Sequence, residues 1–204
     1  MNTFYLIRHA ETEYNANWAV LVWWRSNHLT LTPKWETQAH LLWKYLKENN
    51  YTFDKIYSSI AVRALATSKI VCEYIQKVDE IMESDKILEL AQWDWEWKPR
   101  CEMYTPEVFE QIKADNWNFK APNWESQREV EERMLEFLKE NTLNKNEKIA
   151  IFSHGMAIKC LLRWILDSSA SMTNKINIDN TSITKLTFNE KWWNVDYINF
   201  IPHL

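Results

Sequence analysis

Two histidines, two arginines and a carboxylate in this sequence fall where apolar, strand-like runs end. Arg8-His9 closes the run Thr3-Phe4-Tyr5-Leu6-Ile7-Arg8, and Ser58 closes Asp54–Ser58, with Arg63 one helical turn further on. Glu89 follows Lys86-Ile87-Leu88, and Ser153-His154 closes Lys148–Ser153. Ligands of open α/β sheets bind just beyond the carboxyl ends of the strands, so these side chains are expected to meet at one edge. An imidazole is a nitrogen nucleophile, a guanidinium fork grips phosphoryl oxygens with a charge it never loses, and a carboxyl group can pass a proton to a leaving oxygen. Together they meet the needs of phosphoryl transfer without a metal ion. Each also has a plainer use. A histidine after a strand can satisfy a buried backbone group, and an arginine in a first helical turn is ordinarily a solvated surface residue.

The elements that must position these groups alternate along the chain. The strand at 3–8 is followed by a polar stretch over 9–31, read as a long loop or a loop with a short helix. Thr32-Pro33 then supplies an N-cap and a proline at the first helical position, and the stripe through Ala39, Leu42 and Leu46 carries a helix to about residue 48. Ser59 is placed as the cap of a helix over roughly 60–78, after a second strand at 54–58. A third, short strand is expected at 86–88. Pro106 begins another helix, 126–140 forms one with Val130, Met134, Leu135 and Leu138 on a single face, and a last one spans about 156–166 after the strand at 148–153. Alternation in 182–188 and 194–200 around a turn near 189–191 predicts a terminal strand pair. Strands interleaved with helices imply one domain over 1–204, a three-layer α/β/α sandwich on a mainly parallel sheet.

Bulk properties narrow the partners. The 204 residues carry 24 Lys and Arg against 28 Asp and Glu, a formal charge of −4, which argues against a protein built to neutralise a nucleic-acid backbone. No run approaches the roughly 18 apolar residues of a membrane span. Cys72, Cys101 and Cys160 are widely spaced and lack a close His or Cys, so neither a disulfide framework nor a metal site is expected, and a cytoplasmic setting is. The expected partner is a small phosphorylated substrate, with no cofactor, nucleic acid or membrane.

The composition is odd in one respect. A chain of this length should hold about 14 glycines, yet there is one Gly and there are thirteen Trp, and the two together reach the expected glycine number. Several tryptophans stand where a tight turn would ask for glycine. The expectation is that a codon read as glycine in the source organism, UGA above all, is written here as tryptophan. The candidates are Trp18, Trp23, Trp24, Trp35, Trp43, Trp93, Trp97, Trp124, Trp164 and one of Trp192 or Trp193. The alternative is a Trp-rich interaction surface; UGG codons in the gene at these positions would sink the recoding idea.

Beyond its spacing, Arg8-His9-Ala10-Glu11-Thr12-Glu13-Tyr14-Asn15 resembles the signature that opens the histidine phosphatase (phosphoglycerate mutase-like) superfamily, and further matches follow in order over nearly the whole chain. Leu31-Thr32-Pro33-Lys34-Trp35-Glu36-Thr37-Gln38-Ala39 is similar to its Leu-Thr-x-x-Gly-x-x-Gln-Ala, with Trp35 at the glycine. Ser58-Ser59 through Arg63-Ala64 to Thr67 resembles its Ser-x-x-x-Arg-Ala-x-x-Thr helix start. Glu89 with Trp93-Asp94-Trp95-Glu96-Trp97 resembles the Glu segment and Gly-Asp-Trp-Glu-Gly, and Trp124-Glu125-Ser126 with Arg133 resembles Gly-Glu-Ser and its downstream arginine. Phe152-Ser153-His154-Gly155 and Asn180-Thr181-Ser182 are similar to the last two motifs. The departures are almost all glycine to tryptophan.

The resemblance implies a phosphomonoester hydrolase working through a phosphohistidine on a small metabolite. His9 becomes the nucleophile, its other ring nitrogen tied to a backbone carbonyl, with Arg8 and Arg63 gripping the phosphoryl group and His154 donating to the same oxygens beside the small Gly155. Glu89 is the expected general acid, with Glu11 and Glu96 as competitors, and Asn15 and the Ser58-Ser59 hydroxyls are further phosphate contacts. A phosphoglycerate mutase is the first alternative. Leu88-Glu89-Leu90-Ala91-Gln92 lacks the mutases' Glu-Arg-His-Tyr-Gly, which favours hydrolysis. A non-catalytic phosphate-binding module is the second.

Overall fold

The structure, a computed structural model, describes residues 1–204 apart from 13–20, 23–24, 30, 32, 74, 76, 121, 124 and 144–145, and apart from the side chains of 33, 34 and 93. Six strands, β1 (Asn2–Arg8), β2 (Lys55–Ser59), β3 (Ile81–Ser84), β4 (Lys148–Ser153), β5 (Ile183–Phe188) and β6 (Trp193–Phe200), form one sheet in the order β3-β2-β4-β1-β5-β6. The first four pair in parallel, while β5 and β6 add an antiparallel edge. The helices are α1 (Pro33–Glu48), α2 (Val62–Glu73), α3 (Arg100–Met103), α4 (Pro106–Ala114), α5 (Gln127–Glu140) and α6 (Gly155–Ile165).

The two-residue period of the strands builds the layers. Phe4 and Leu6 of β1 and Ile149 and Ile151 of β4 point to one face and pack with Val130, Met134 and Phe137 of α5 and Ile158, Leu161 and Leu162 of α6. Their neighbours Tyr5, Ile7, Ala150 and Phe152 point to the other and meet Leu42 and Leu46 of α1 and Val71 and Cys72 of α2. A central parallel strand covered on both faces must be apolar throughout, which is why β1 and β4 read as unbroken hydrophobic runs. Each large side chain buried there stabilises the fold by about 1.5–3 kcal/mol.

Three local expectations change. The third strand is Ile81–Ser84, and Asp85–Ile87 is a 3-10 turn capped by Ser84, whose Oγ accepts from Lys86 N. Lys86-Ile87-Leu88 looked strand-like because Ile87 is fully buried, yet that burial comes from a turn packed on the core. Helix α2 starts at Val62 and stops at Glu73, and Ser59 Oγ accepts from Ala61 N at 3.2 Å in the bend before it. Phe137 takes a core position on α5, with Leu135 only partly covered. The Thr32 cap lies outside the described residues. Among those described, no helix is long and apolar enough to cross a membrane.

The tryptophans divide by backbone. Trp97 has φ of 72°, in the left-handed region that favours glycine. Trp35, Trp43 and Trp164 lie within helices, where the backbone makes no such demand. Trp193 packs on Phe4 and Phe188, with ring centroids 5.2 and 4.8 Å apart, whereas Trp192 is 63% exposed, so Trp192 is the better glycine candidate of the two. Trp18, Trp23, Trp24 and Trp124 lie outside the described residues.

Candidate active site

Parallel pairing of Arg8 with Ser153 puts the ends of β1 and β4 side by side, so His9 and His154 leave the sheet at the same edge. The His9 N–H donates to the Ser153 carbonyl at 3.0 Å, and the two rings lie 5.1 Å apart between centroids. Strand β2 borders β4 and, through the bend at Ser59–Ala61, starts α2 so that Arg63 points back between the histidines.

The partners of His9 decide its tautomer. Nδ1 lies 2.6 Å from the Ala10 carbonyl, which can only accept, so Nδ1 carries the proton. Nε2 faces Arg63 Nε at 3.1 Å, which can only donate, so the lone pair sits on Nε2. Ala10 is fixed in turn by Thr67, whose Oγ1 accepts from Ala10 N at 2.9 Å and donates to the Arg63 carbonyl at 2.7 Å. Burial holds the His9 pKa well below the usual histidine value, and the cations of Arg63 and Arg8 push it the same way. The ring is neutral near pH 7.

Arg63 reaches His154 as well, with Nη2 3.1 Å from Nδ1. His154 therefore keeps its proton on Nε2 and donates it to Ser59 Oγ at 2.8 Å. Burial first, then Arg63, keeps His154 neutral too. Arg63 Nη1 donates to the carbonyls of Arg25 and Ser26 at 2.8 and 3.0 Å. Burial lowers Arg63 to about 10, which leaves it cationic at neutral pH. Arg8 lies partly buried beside it, its Nη1 donating to the Ile178 carbonyl at 2.7 Å while its Nε finds no partner among the described residues. A Cβ on Gly155 would lie 3.4 Å from that Nε, so the small residue makes room for the Arg8 guanidinium.

Glu89 arrives by a different route from the one its sequence position implied. It follows the 3-10 turn rather than a strand, and its carboxylate sits on the first turn of α6, where Oε1 accepts from Ala157 N at 3.2 Å and Oε2 from Met156 N at 3.1 Å. Leu90 N also donates to Oε1, at 2.8 Å. A helix amino terminus with unpaired N–H groups suits an anion. Glu89 is also the leading negative charge acting on both Arg8 and Arg63.

Sequence reasoning left Arg25 without a role, since nothing in Trp24-Arg25-Ser26 marks it. In the fold Arg25 Nη2 donates to Glu125 at 2.9 Å and Nε to the Glu89 carbonyl at 2.9 Å, and Arg133 grips Glu125 through Nε and Nη2 at 2.6 and 2.9 Å. The two arginines thus brace the backbone of Glu89. Glu96 accepts from the backbone N–H groups of Arg25, Ser26 and Gln92, which makes it a loop tie. Ser58 Oγ donates to the Ser59 carbonyl. Asn15 lies outside the described residues. A cavity of about 190 Å³ adjoins the Glu89 anchor, with Leu90, Arg100, Tyr104, Phe119, Gln127 and Met156 in its wall. Among the described residues no group of three His, Cys, Asp or Glu is placed to hold a metal ion.

Comparison with known proteins gives consistent matches. The sequence profile of the histidine phosphatase superfamily (branch 1) matches residues 4–201. A Hydrogenobacter thermophilus protein assigned as phosphoserine phosphatase 2 is 28% identical, covering 100% of this chain and 98% of its own length. A Yersinia enterocolitica protein assigned as phosphoglycerate mutase GpmB is 28% identical over 93% of this chain and 86% of its own. The structure of a mutant of the phosphoserine phosphatase of Entamoeba histolytica with phosphoserine superposes with a TM-score of 0.84 at 25% identity, covering 100% of both chains.

Proposed function

Because the chain belongs to branch 1 of the histidine phosphatase superfamily, we propose that it hydrolyses a small phosphorylated metabolite through a phosphohistidine on His9, as one domain over 1–204. The observation that carries this is the locked His9 tautomer, with a neutral Nε2 lone pair facing Arg63. In the first step Nε2 bonds to phosphorus as the bond to the leaving oxygen breaks, and Glu89 gives that oxygen its proton. Water then attacks phosphorus, Glu89 takes its proton, and the phosphorus–nitrogen bond breaks. Arg63 Nε must leave His9 for a phosphoryl oxygen on substrate binding, and Arg8 Nε, without a partner among the described residues, supplies a second donor. His154 Nε2 stabilises the developing charge once it exchanges Ser59 for phosphate, and Asn15 adds a phosphate contact.

Hydrolysis is favoured over mutase chemistry by the short Glu89 segment and by the phosphatases among the relatives. The test is turnover of p-nitrophenyl phosphate and phosphoserine in EDTA with acid-labile labelling of His9. His9→Ala is expected to abolish both label and turnover. Glu89→Gln is expected to lower phosphoserine turnover by about 10²–10⁴-fold and p-nitrophenyl phosphate turnover far less, since that leaving group needs little proton donation. Equal turnover by the parent and His9→Ala overturns the mechanism, and an effect at Glu11→Gln in place of Glu89→Gln reassigns the acid.

A further inference from the structure

The loop that closes on His9 is held from behind by residues at the end of β6 and just after it. Residues 178–182 grip the end of β1 at several points. The Ile178 carbonyl accepts from Arg8 Nη1 at 2.7 Å, Asn180 Nδ2 donates to the His9 carbonyl at 2.9 Å, and the Thr181 N–H donates to the Arg8 carbonyl at 3.1 Å. The Arg8 N–H donates to the Ser182 carbonyl at 3.2 Å.

To make these bonds Thr181 takes φ of 56° while fully buried. A β-branched residue is a genuine outlier there, and such a conformation persists only where the surroundings over-determine it. The Thr181 hydroxyl is where they do so. Oγ1 donates to the Asn180 carbonyl at 2.7 Å and lies 2.9 Å from His203 Nε2. With the hydroxyl proton committed to Asn180, His203 is the donor. Nδ1 of His203 is buried without a partner among the described residues, and burial draws the ring down to about 4, so it is neutral and its proton sits on Nε2. Four residues earlier, Asn199 pairs with Asp179 of the same loop, Nδ2 donating to Asp179 Oδ2 at 2.7 Å and Oδ1 accepting from Asp179 N at 2.6 Å.

We propose that His203 is a positioning residue for phosphoryl transfer, fixing the backbone of Arg8 and His9, and so the aim of the His9 ring, through Thr181 and Asn180. This rests on His9 being the nucleophile. His203 itself touches no reacting atom, so its signature is in turnover rather than in binding.

Steady-state hydrolysis of p-nitrophenyl phosphate in EDTA tests this. His203→Ala is expected to lower kcat about tenfold, since small misplacements of a nucleophile are costly, with KM unchanged within about twofold. His203→Gln, whose amide N–H can reach the same hydroxyl, is expected to restore most of the loss. Thr181→Val keeps the shape but removes the hydroxyl with both of its bonds; it should lose at least as much as His203→Ala, and the double variant should be no worse than Thr181→Val, because the His203 bond is then already gone. Should His203→Ala fail to fold, Thr181→Val and His203→Gln decide the matter by the same kcat readout. Unchanged kcat in the folded variants, no rescue by glutamine, or losses that multiply overturn the proposal. A parent without turnover or His9 label overturns the phosphatase reading and this inference together, whereas an active parent with insensitive variants overturns this inference alone.

Discussion

At the scale of single residues, Trp97 is where backbone and side chain disagree. Its φ of 72° serves a real turn, since Trp97 N donates to the Val22 carbonyl at 2.8 Å. A bulky residue pays about 1–2 kcal/mol for the left-handed region, which glycine enters freely. The ring, 41% exposed, recovers part of this by stacking on His28 at 5.1 Å. Trp97→Gly is therefore expected to raise the thermal midpoint by roughly 2–4 °C per kcal/mol of strain removed, while Trp97→Ala loses the stack, keeps the Cβ and gains nothing. A calorimetric midpoint that falls with Trp97→Gly counts against glycine as the natural residue there. Arg8, His9 and His154 were legible one by one because each stands at the end of an apolar run, and Arg63 because it follows such a run by one helical turn. Arg25 was not, because its partners Glu89 and Glu125 are far away in sequence and nothing local marks the meeting.

At the scale of elements, α5 shows how local sequence sets a boundary that the site depends on. Ser126 Oγ accepts from Glu129 N, and Glu129 Oε2 accepts from Ser126 N at 2.7 Å, a reciprocal capping box. That boundary fixes Glu125 one residue upstream and Arg133 two turns along, in register to pair. Ser126→Ala is expected to cost about 1 kcal/mol of stability, seen as a lower urea midpoint with an unchanged slope. No change in midpoint shows that the tertiary contacts of α5 set its start without the cap. The misplaced third strand has an equally physical cause: hydrophobic periodicity in a three-residue window cannot separate a strand from a buried turn, and Ile87 is buried by the turn.

At the scale of the whole molecule, the site stores a dependence on pH. His9 and His154 are neutral in the folded state with pKa values held well below 6.5, by burial and then by Arg63, and His203 is held at about 4 by burial. The unfolded chain binds more protons between those values and about 6.5, so stability rises with pH through this window. It is complete above about pH 6.5 and is lost as the pH falls below it, by at most about 1.4 kcal/mol per pH unit for each of His9 and His154. Urea midpoints between about pH 7.5 and 5.5 should show the slope, and the double variant His9→Asn/His154→Asn should reduce it to the share that His203 contributes. A parent midpoint constant across that range refutes the linkage.

The chain by itself determined the alternation of strands and helices, because periods of two and of about three and a half are local and survive in any window of sequence. It also determined which residue types stand at the strand ends. Only the tertiary structure decided how those residues face one another. Parallel pairing of β1 with β4 sets His9 beside His154, Arg63 bridges the two rings, and the first turn of α6 receives the Glu89 carboxylate. The ring of Thr181, Asn180 and His203 behind His9 is likewise a product of strand order, since β5 folds back beside β1 and β6 beside β5, which brings distant residues within hydrogen-bond reach. Hydrogen bonds fix tautomers and orientations only across such contacts, and no local pattern encodes which of them form.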